Sequence, residues 1–415
     1  MKNAILLILA LTISSGVISA VQPNNYTLRL VGKASGEDEK SRLQLDMALS
    51  DFEYTGLYLP PNQTVSLQVE AIMGKVTPSL VIGTYGLGIL EPRSLKLKLG
   101  SNTISDKNGG MLYLRFPNRS SQARFIFSKN LLQVPTYRLG KTTNADWKKQ
   151  LASLNPSSVP VAALLGKREL IVVSRQSAVT YQDKNQDELL RLLDTTLEIE
   201  DTISGLSASQ APSSPYLMVE HDDPTAYFYA TDYYTAFLQD DVRYILDPQV
   251  LRQDGWGVWH ELGHMHQQSA WTWAAADEVT VNIYSLAVQR FLKQPSRMTE
   301  NWAEVDTYLA LPDAARDYNA DSTDDFVRLG MFEQLRLAFG DGFYQELHRQ
   351  TRAERPVTSS DAAKIAYFAL KSSQLAQRDL SGFYAKWGLK LSSGTRQKIA
   401  TLRLAPPEQD LTTPR

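Results

Sequence analysis

Two histidines four positions apart, within an apolar stretch, constrain this chain most strongly. Residues 255–268 contain His260-Glu261-Leu262-Gly263-His264, a His-Glu-x-x-His motif. On an α-helix each residue advances by about 100°, so residues four apart lie one turn above each other on the same face. The motif therefore predicts a helix on which His260 and His264 bind one metal ion together. Glu261 would lie about 100° round the helix from His260, beside the metal, where a base for a metal-activated water belongs.

A third metal ligand is expected further along the chain, because a catalytic zinc ion usually has three protein ligands and an open fourth position. Glu278 is our predicted third ligand, since it begins a second apolar run with helical spacing. Asn282 lies one turn after Glu278 and is predicted to hold a ligand through a hydrogen bond. Asp277 is the alternative acid, but on a helix it would point about 100° away from Glu278.

The same motif can also arise by chance in a helix whose histidines are merely packed or solvated. Two observations argue against this. Three of the five histidines in the chain fall within seven residues, His260 to His266. Gly263 costs roughly 1 kcal/mol of helix propensity, and it is expected where another element approaches closely. We therefore predict a metal site, and a catalytic one, because Glu261 would have little structural purpose beside two ligands.

Further side chains near the motif are candidates for supporting or substrate-binding roles. His266 lies about 240° round the helix from His260 and is predicted to be packed or to support a ligand. Tyr284 has the same relation to Glu278; core packing is preferred there over stabilisation of an oxyanion. Trp271 and Trp273 belong to a group of four tryptophans around the motif. They are predicted to wall the pocket, and one of them to stack on a sugar ring.

Aromatic residues also precede the motif, at residues 227–229 and 233–234. An extended edge strand at this position can bind a substrate backbone by strand addition. Tyr229 is therefore a candidate for lining the cleft, and packing at the edge of the core is an equally favoured alternative. His221, which lies among acidic residues, is predicted to be a surface histidine, and so is His348 on a later helix.

The sequence around the motif resembles the active-site signature of the M60 (enhancin-like) peptidases, a gluzincin-type zinc metallopeptidase family. The matching segments are residues 255–264 with Gln267, and residues 278–282. Residues 54–60 and 109–114 resemble the N-terminal β-rich portion of the family, and residues 383–389 resemble its C-terminal end. The resemblance covers about residues 51–392. Many members also carry carbohydrate-binding modules, for which we find no room in this sequence.

The resemblance implies zinc-dependent cleavage of peptide bonds in glycoproteins, such as mucins and other O-glycosylated targets. It assigns His260, His264 and Glu278 as ligands of one Zn²⁺ ion and Glu261 as the general acid/base. Two alternatives stay open. One is a zinc peptidase for unglycosylated peptides, and the other is a secreted glycan-binding protein or adhesin with a vestigial zinc site.

The N-terminus predicts export. Residues 1–20 combine Lys2, an apolar run at residues 4–11 and the small residues Ser19 and Ala20, as a signal peptide does. The apolar run is shorter than the ~20 residues that cross a bilayer. We therefore expect a secreted or periplasmic protein without stable membrane insertion after cleavage. The chain has no cysteine, which excludes disulfides and thiolate ligands. Its formal charge of -2 makes nucleic acid an unsuitable partner, and we expect a monomer.

The expected fold class is α+β, with a β-sandwich-like domain at residues 21–130 and a mostly helical zincin domain, gluzincin-like, at residues 131–405. Period-two alternation predicts strands at residues 65–69 and 95–99, and residues 169–173 suggest a short buried strand. Residues 185–205 predict a helix capped by Asn185. The helices of a C-terminal subdomain, at residues 323–392, should close the far wall of the cleft. Residues 406–415 are predicted to be a frayed tail.

Overall fold

The computed structural model describes residues 25–88, 91–153 and 157–415. The predicted signal peptide lies outside these residues. The described part begins with nine strands and one helix: β1 (Asn25–Val31), α1 (Gly36–Leu43), β2 (Glu53–Leu59), β3 (Thr64–Met73), β4 (Ser79–Ile82), β5 (Arg93–Lys96), β6 (Gly100–Ser105), β7 (Gly110–Arg115), β8 (Gln122–Ser128) and β9 (Leu132–Gln133).

These strands form a β-sandwich. One sheet has the order β1-β8-β3-β6, and the other has the order β5-β4-β7-β2-β9. The inner faces share one apolar core, to which Leu67 and Phe125 contribute from the first sheet and Leu59 and Leu112 from the second. Along β3, buried residues alternate with exposed or half-buried ones over residues 64–69, as the period-two pattern predicts.

The strand predicted at residues 95–99 is only partly present. β5 ends at Lys96, and both Leu95 and Leu99 are exposed, at 38% and 55%. Leu97 alone of the three leucines is buried, and its amide donates to the carbonyl of Pro78. The reason is that β5 is an edge strand, paired only with the four residues of β4, so most of the alternating pattern has no sheet to pack against.

A third sheet lies against the outer face of the sandwich. Its strands are β10 (Thr136–Arg138), β11 (Val161–Leu165), β12 (Glu169–Ser174), β13 (Tyr216–His221), β14 (Phe228–Thr231) and β15 (Tyr234–Leu238). Their order is β10-β11-β12-β13-β15-β14. One face packs on the second sheet of the sandwich, where Val172 and Leu217 meet Val81 and Tyr113. All six residues of β13 are buried, because helices cover the other face.

The remaining helices contribute to two apolar clusters, one shared with that sheet and one formed mainly by the helices that follow the histidine motif. They are α2 (Asn144–Ser153), α3 (Arg175–Thr180), α4 (Gln186–Ile203), α5 (Pro248–Asp254), α6 (Trp256–His264), α7 (Asp277–Thr280), α8 (Asn282–Phe291), α9 (Met298–Leu309), α10 (Asp325–Phe339), α11 (Gly342–Glu354), α12 (Asp361–Ala376), α13 (Ser381–Lys386) and α14 (Ser393–Thr401). No helix in the described ranges is long and apolar enough to cross a membrane. The predicted α+β class, a β-rich N-terminal domain followed by a helix-rich region, is confirmed.

Helix α4 supports the helix that carries the histidine motif. Its N-cap is Asn185, whose side-chain oxygen accepts a hydrogen bond from the Glu188 amide, as predicted. Leu193 and Leu197 of α4 are fully buried in the core that also contains Leu262 of α6. α4 therefore lies between the sheet and the motif-bearing helices and fixes their position.

The prediction of a frayed C-terminal tail is wrong. Leu411 is buried against the helical core, and the Gln334 side-chain amide donates to the carbonyl of Thr412 at 2.8 Å. Lys386 of α13 forms an ion pair with Asp410 at 2.6 Å. The prolines at the start of the tail prevent regular helix, but they do not prevent docking on a preformed surface.

We expect Leu411→Ala to lower the free energy of unfolding by about 1–3 kcal/mol, because it removes a buried apolar side chain from the helical core. Chemical denaturation of the folded chain measures this change. The matched control is Leu311→Ala, at a leucine that is 41% exposed. Equal effects of the two substitutions would contradict docking of the tail.

Candidate metal centre

Helix α6 and the short helix α7 bring three ligand atoms together. The Nε2 atoms of His260 and His264 lie 3.1 Å apart on successive turns of α6. Oε2 of Glu278, on α7, lies 3.0 Å from the first Nε2 and 3.5 Å from the second. The three residues form a group that can hold one metal ion. The structure therefore assembles the three residues predicted as ligands from two separate stretches of sequence.

The donor set fits a zinc ion. Donors at the usual zinc–ligand distances in a tetrahedral site are about 3.3 Å apart, which is close to the spacings of these three atoms. Nδ1 of His260 faces Oδ1 of Asn282 at 2.9 Å, and Nδ1 of His264 faces Oε1 of Gln267 at 2.6 Å. Each Nδ1 therefore carries the proton and donates it, so each Nε2 presents its lone pair to the other donors. Such an arrangement is repulsive unless a cation lies between the donors.

Both supporting amides are fixed in orientation by further bonds. Asn282 donates to the main-chain carbonyl of Glu278 at 2.9 Å, and so its oxygen is the atom that faces His260. This is the supporting role predicted for Asn282. It orients one ligand through its side chain and holds the segment of another through its backbone.

Gln267 supports the metal centre more extensively than we predicted from the sequence, where it was identified only as part of a family signature. Its side chain is fully buried and donates to the carbonyl of Asp277 at 2.7 Å and to Oγ1 of Thr280 at 2.8 Å. The main-chain carbonyl of Gln267 accepts a hydrogen bond from the main-chain amide of Asp46 at 2.9 Å. Gln267 thereby joins His264, the segment of Glu278 and the N-terminal part of the chain. Its position three residues after His264 is the sequence feature from which this supporting role could have been predicted.

Protons compete with a metal ion for the ligand atoms of the cluster. Hydrogen bonds with His260 and His264 hold the pKa of Glu278 well below its usual range. Burial lowers the pKa of His264, but the Glu278 carboxylate outweighs this effect and raises the pKa to about 8. A metal ion must displace these protons, and so metal binding strengthens as the pH rises toward 8.

Glu261 lies beside the cluster and outside the ligand set. Glu261 is 7% exposed. Burial raises the pKa of the Glu261 carboxyl group, and the neighbouring His260 and His264 oppose that rise. A buried carboxylate next to a metal centre is suited to accept and return a proton.

Gly263 allows α6 to approach the segment that follows Glu278. A Cβ atom built on Gly263 would lie 3.0 Å from both the carbonyl oxygen and Cγ2 of Val281, and 3.3 Å from Cβ of Tyr284. The predicted close approach is present. It sets the distance between the two histidines and the third ligand.

Asp277 takes no part in the ligand group. Its Oδ1 is buried without a hydrogen-bond partner among the described residues, and burial raises the pKa of its carboxyl group. Glu278 rather than Asp277 therefore faces the histidines, as the helical spacing predicted.

His266 and Tyr284 are packed in the core behind the centre. The buried ring of His266 stacks on Tyr216, with centroids 5.3 Å apart, and lies 3.1 Å from Glu200 and 3.3 Å from Asp201 on α4. The hydroxyl of Tyr284 lies 2.8 Å from the carbonyl of His266 and is fully buried. Core packing, preferred for Tyr284 and one of two predictions for His266, holds for both residues, and the oxyanion role considered for Tyr284 is wrong.

The sugar-stacking role predicted for Trp271 or Trp273 is wrong. Their exposed fractions are 0% and 1%. The indole of Trp271 donates to Gln268 and that of Trp273 to Asn319. Helices α10 to α12 cover both rings, and so neither has a free face for a saccharide.

The edge strand lies where it was predicted, but Tyr229 faces away from the metal-binding helix. β14 is the outermost strand of its sheet, and the ring of Phe228 lies against Gly257 of α6. Because successive side chains of a strand point to opposite faces, Tyr229 faces the sandwich instead. Its ring centroid is 5.1 Å from that of His221 and 6.1 Å from that of Tyr234. The role predicted for Tyr229 in the cleft is therefore wrong.

Two histidines predicted to be at the surface are buried. His221 is 2% exposed, and its Nε2 lies 3.0 Å from the carbonyl of Tyr227. His348 is fully buried between Trp271 and Tyr284, and burial lowers its pKa to about 3. His221 is covered by the chain that follows it at Tyr227 and Tyr229, and His348 by residues distant in sequence, and local charge patterns reveal neither.

We expect Gln267→Leu to weaken zinc binding about 10- to 100-fold, because His264 loses the acceptor that orients it. Gln267→Glu, which keeps an acceptor, should recover part of that loss. Competition with a zinc-sensitive dye measures the affinity.

The matched control for Gln267 is Gln268→Leu. Gln268 is equally buried but donates to the carbonyl of Leu43 and does not touch a ligand. It should lower stability and leave zinc affinity unchanged. Equal zinc affinities in the Gln267 and Gln268 variants would show that Gln267 has no positioning role.

We expect Gly263→Val to cost about 1–3 kcal/mol of stability and to weaken zinc binding, because the new side chain separates α6 from Val281. Thermal unfolding and zinc titration measure the two effects. Gly382→Val on α13 is the control, since nothing lies within 4 Å of a Cβ built there. A Gly263 variant with unchanged zinc affinity would refute the role of this contact.

Comparison with known proteins identifies the family. The M60 peptidase family, described as enhancin and enhancin-like, matches residues 130–388, and the N-terminal domain of M60-like peptidases matches residues 34–127. Among curated relatives, TRPM8 channel-associated factor 3 of Rattus norvegicus is 24% identical over 377 residues, an alignment that covers 84% of this chain and 39% of the relative. The chain thus spans about two-fifths of the length of such relatives.

Several solved structures share the fold. A functionally unknown conserved protein from Bacillus anthracis str. Ames is 33% identical, with a TM-score of 0.85 and coverage of 94% of this chain and 81% of that chain. ZmpB metallopeptidase from Clostridium perfringens is 19% identical (TM-score 0.79; 93% and 81% covered). The M60 catalytic domain of Clostridium perfringens ZmpC, in complex with the sialyl T antigen, is 18% identical (TM-score 0.77; 93% and 81% covered). The chain described here belongs to the M60 peptidase family, enhancin and enhancin-like.

Proposed function

We propose that this protein is an exported zinc-dependent endopeptidase that hydrolyses peptide bonds in glycoproteins, including O-glycosylated mucins. The observation that carries the proposal is the group of three ligand atoms from His260, His264 and Glu278, with the buried Glu261 beside it. A purely structural metal site has no need for a carboxylate next to its ligands. Membership of a peptidase family supports the same chemistry.

The roles of the residues follow from their positions. A bound zinc ion supplies Lewis acidity, which polarises the scissile carbonyl and lowers the pKa of water. His260 and His264 present Nε2 lone pairs, which Asn282 and Gln267 orient through Nδ1. Glu261 accepts the proton of the attacking water at its carboxylate and returns it to the nitrogen of the leaving amine.

An extended polypeptide fits beside α6. β14 is the outer strand of its sheet and packs on α6 through Phe228 and Gly257. Its unpaired edge is available for a substrate strand, whose scissile bond would then lie over the motif. This supports cleavage within a chain.

The proposal also includes glycoprotein substrates and export of the protein. The similarity in fold to a domain solved with the sialyl T antigen supports glycan-bearing substrates. The signal-like residues 1–20 support export. A peptidase for unglycosylated peptides, and a glycan-binding protein with a vestigial site, are the alternatives that the experiment below separates.

We expect the zinc-loaded protein to cleave a Ser/Thr-rich polypeptide in its O-glycosylated form and to leave the bare form intact. Chelator should abolish cleavage. Glu261→Gln should retain zinc and lose about 10²- to 10⁴-fold in kcat, because it removes the proton acceptor. Glu278→Gln should lose zinc as well as activity. Mass spectrometry of the products and metal analysis provide the readouts.

The outcomes separate the alternatives. Cleavage of both forms would keep the peptidase and remove the requirement for glycan. Saturable binding without new N-termini, by protein that contains zinc, would favour the glycan-binding alternative. Near wild-type turnover by Glu261→Gln would refute the assigned mechanism.

A further inference from the structure

The solvent-facing part of the metal-binding helix α6 has an aromatic side chain beside it at one place and a cation at another. Of the residues in α6, Trp256, Gly257 and His260 are partly exposed, and all the others are buried. Trp256 precedes His260 by four positions, so it lies one turn, about 5.4 Å, away on the same face. These three residues form the solvent-facing strip of α6 that includes the ligand His260, and we call this strip the cleft floor. Phe228 of β14 lies on one side of this floor, against Gly257.

A cation lies over Trp256. The guanidinium carbon of Arg297, just before α9, is 4.9 Å from the ring centroid of Trp256 and 5.3 Å from that of Phe326 on α10. The two rings lie 6.0 Å apart. Arg297 thus stacks on aromatic groups from two helices, and one of those groups belongs to the cleft floor.

The backbone of Arg297 is held in place, but its charge is not paired. The Arg297 amide donates to the side-chain oxygen of Gln289 at 2.8 Å, and its carbonyl accepts from Asn301 at 2.8 Å. Met298, the next residue, is fully buried. Arg297 itself is exposed, and within residues 25–88, 91–153 and 157–415 no carboxylate pairs with its guanidinium.

We propose that Arg297 is a specificity residue that binds a carboxylate group of the substrate at the Trp256 side of the cleft. This inference rests on the proposed function. A stacked guanidinium keeps its donors in one plane and directs them outward, which suits bidentate binding of a carboxylate. The stacking also restricts the side chain before binding, so less conformational entropy is lost when the carboxylate binds.

Carboxylates in extracellular polypeptides come from two sources, acidic side chains and acidic sugars. Both present the same planar anion to Arg297. The preferred substrate is therefore acidic on the Trp256 side of the scissile bond.

Binding measurements test this proposal separately from cleavage. The zinc-loaded Glu261→Gln protein is titrated with four forms of one Ser/Thr-rich polypeptide: bare with glutamine, bare with glutamate replacing that glutamine, carrying a neutral O-glycan, and carrying the same glycan ended by an acidic sugar. We expect tighter binding of an acidic form than of its neutral match. Arg297→Gln, added to this protein, should reduce that preference about tenfold, and Arg297→Lys should keep part of it.

The control is Arg138→Gln in the same background. Arg138 also lies over an aromatic ring, 5.8 Å from the centroid of Tyr54, but β10 is at the opposite edge of the sheet from β14. It should change none of the affinities. The form that shows the preference identifies the source of the carboxylate.

Two results would overturn the proposal. One is an absence of any acidic preference in the parent protein, and the other is an equal effect of Arg297→Gln on acidic and neutral forms. Failure of the wild-type protein to cleave any form would refute the peptidase proposal, while the binding data would still decide the role of Arg297.

Discussion

Holding three electron-pair donors within 3.5 Å of one another is the constraint on which this structure depends. Two imidazole nitrogens and a carboxylate repel each other at that distance unless a cation or proton lies between them. The surrounding protein must therefore supply the force that keeps them together. It does so through the Gly263 contact with Val281 and the hydrogen bonds of Asn282 and Gln267.

The layers behind the centre make this support rigid. The third sheet is covered on one face by the sandwich and on the other by α4 and α6, so α6 lies against a surface that is itself fully packed. The N-terminal part of the chain also reaches the centre directly. The Asp46 amide donates to the carbonyl of Gln267, and Gln268 donates to the carbonyl of Leu43. The β-rich domain thus contributes to the geometry of the ligands as well as to the core.

Local sequence pattern correctly related side chains that lie close together along the chain. Helical spacing related His260 to His264 and Glu278 to Asn282, because side-chain direction along a helix depends only on position. Only the tertiary structure brings the two pairs together. From local sequence alone we predicted that Trp271 lies in a loop near the cleft and that His348 lies at the surface, and both residues are buried. The rings of these two residues lie 5.1 Å apart, although more than 70 residues separate them in sequence. The docking of the C-terminal tail was missed for the same reason.

The sequence by itself determined the chemistry of the candidate site, the helix that carries it and the α+β class, because these depend on residue type and on short-range periodicity. Only the tertiary structure decided which side chains reach the cleft. It excludes Tyr229, Trp271 and Trp273 from the cleft. It also identifies Gln267 as the support of His264 and Arg297 as the residue for which we propose substrate binding. Burial and hydrogen-bond partners are properties of contacts between distant segments, and no local pattern encodes which segments will meet.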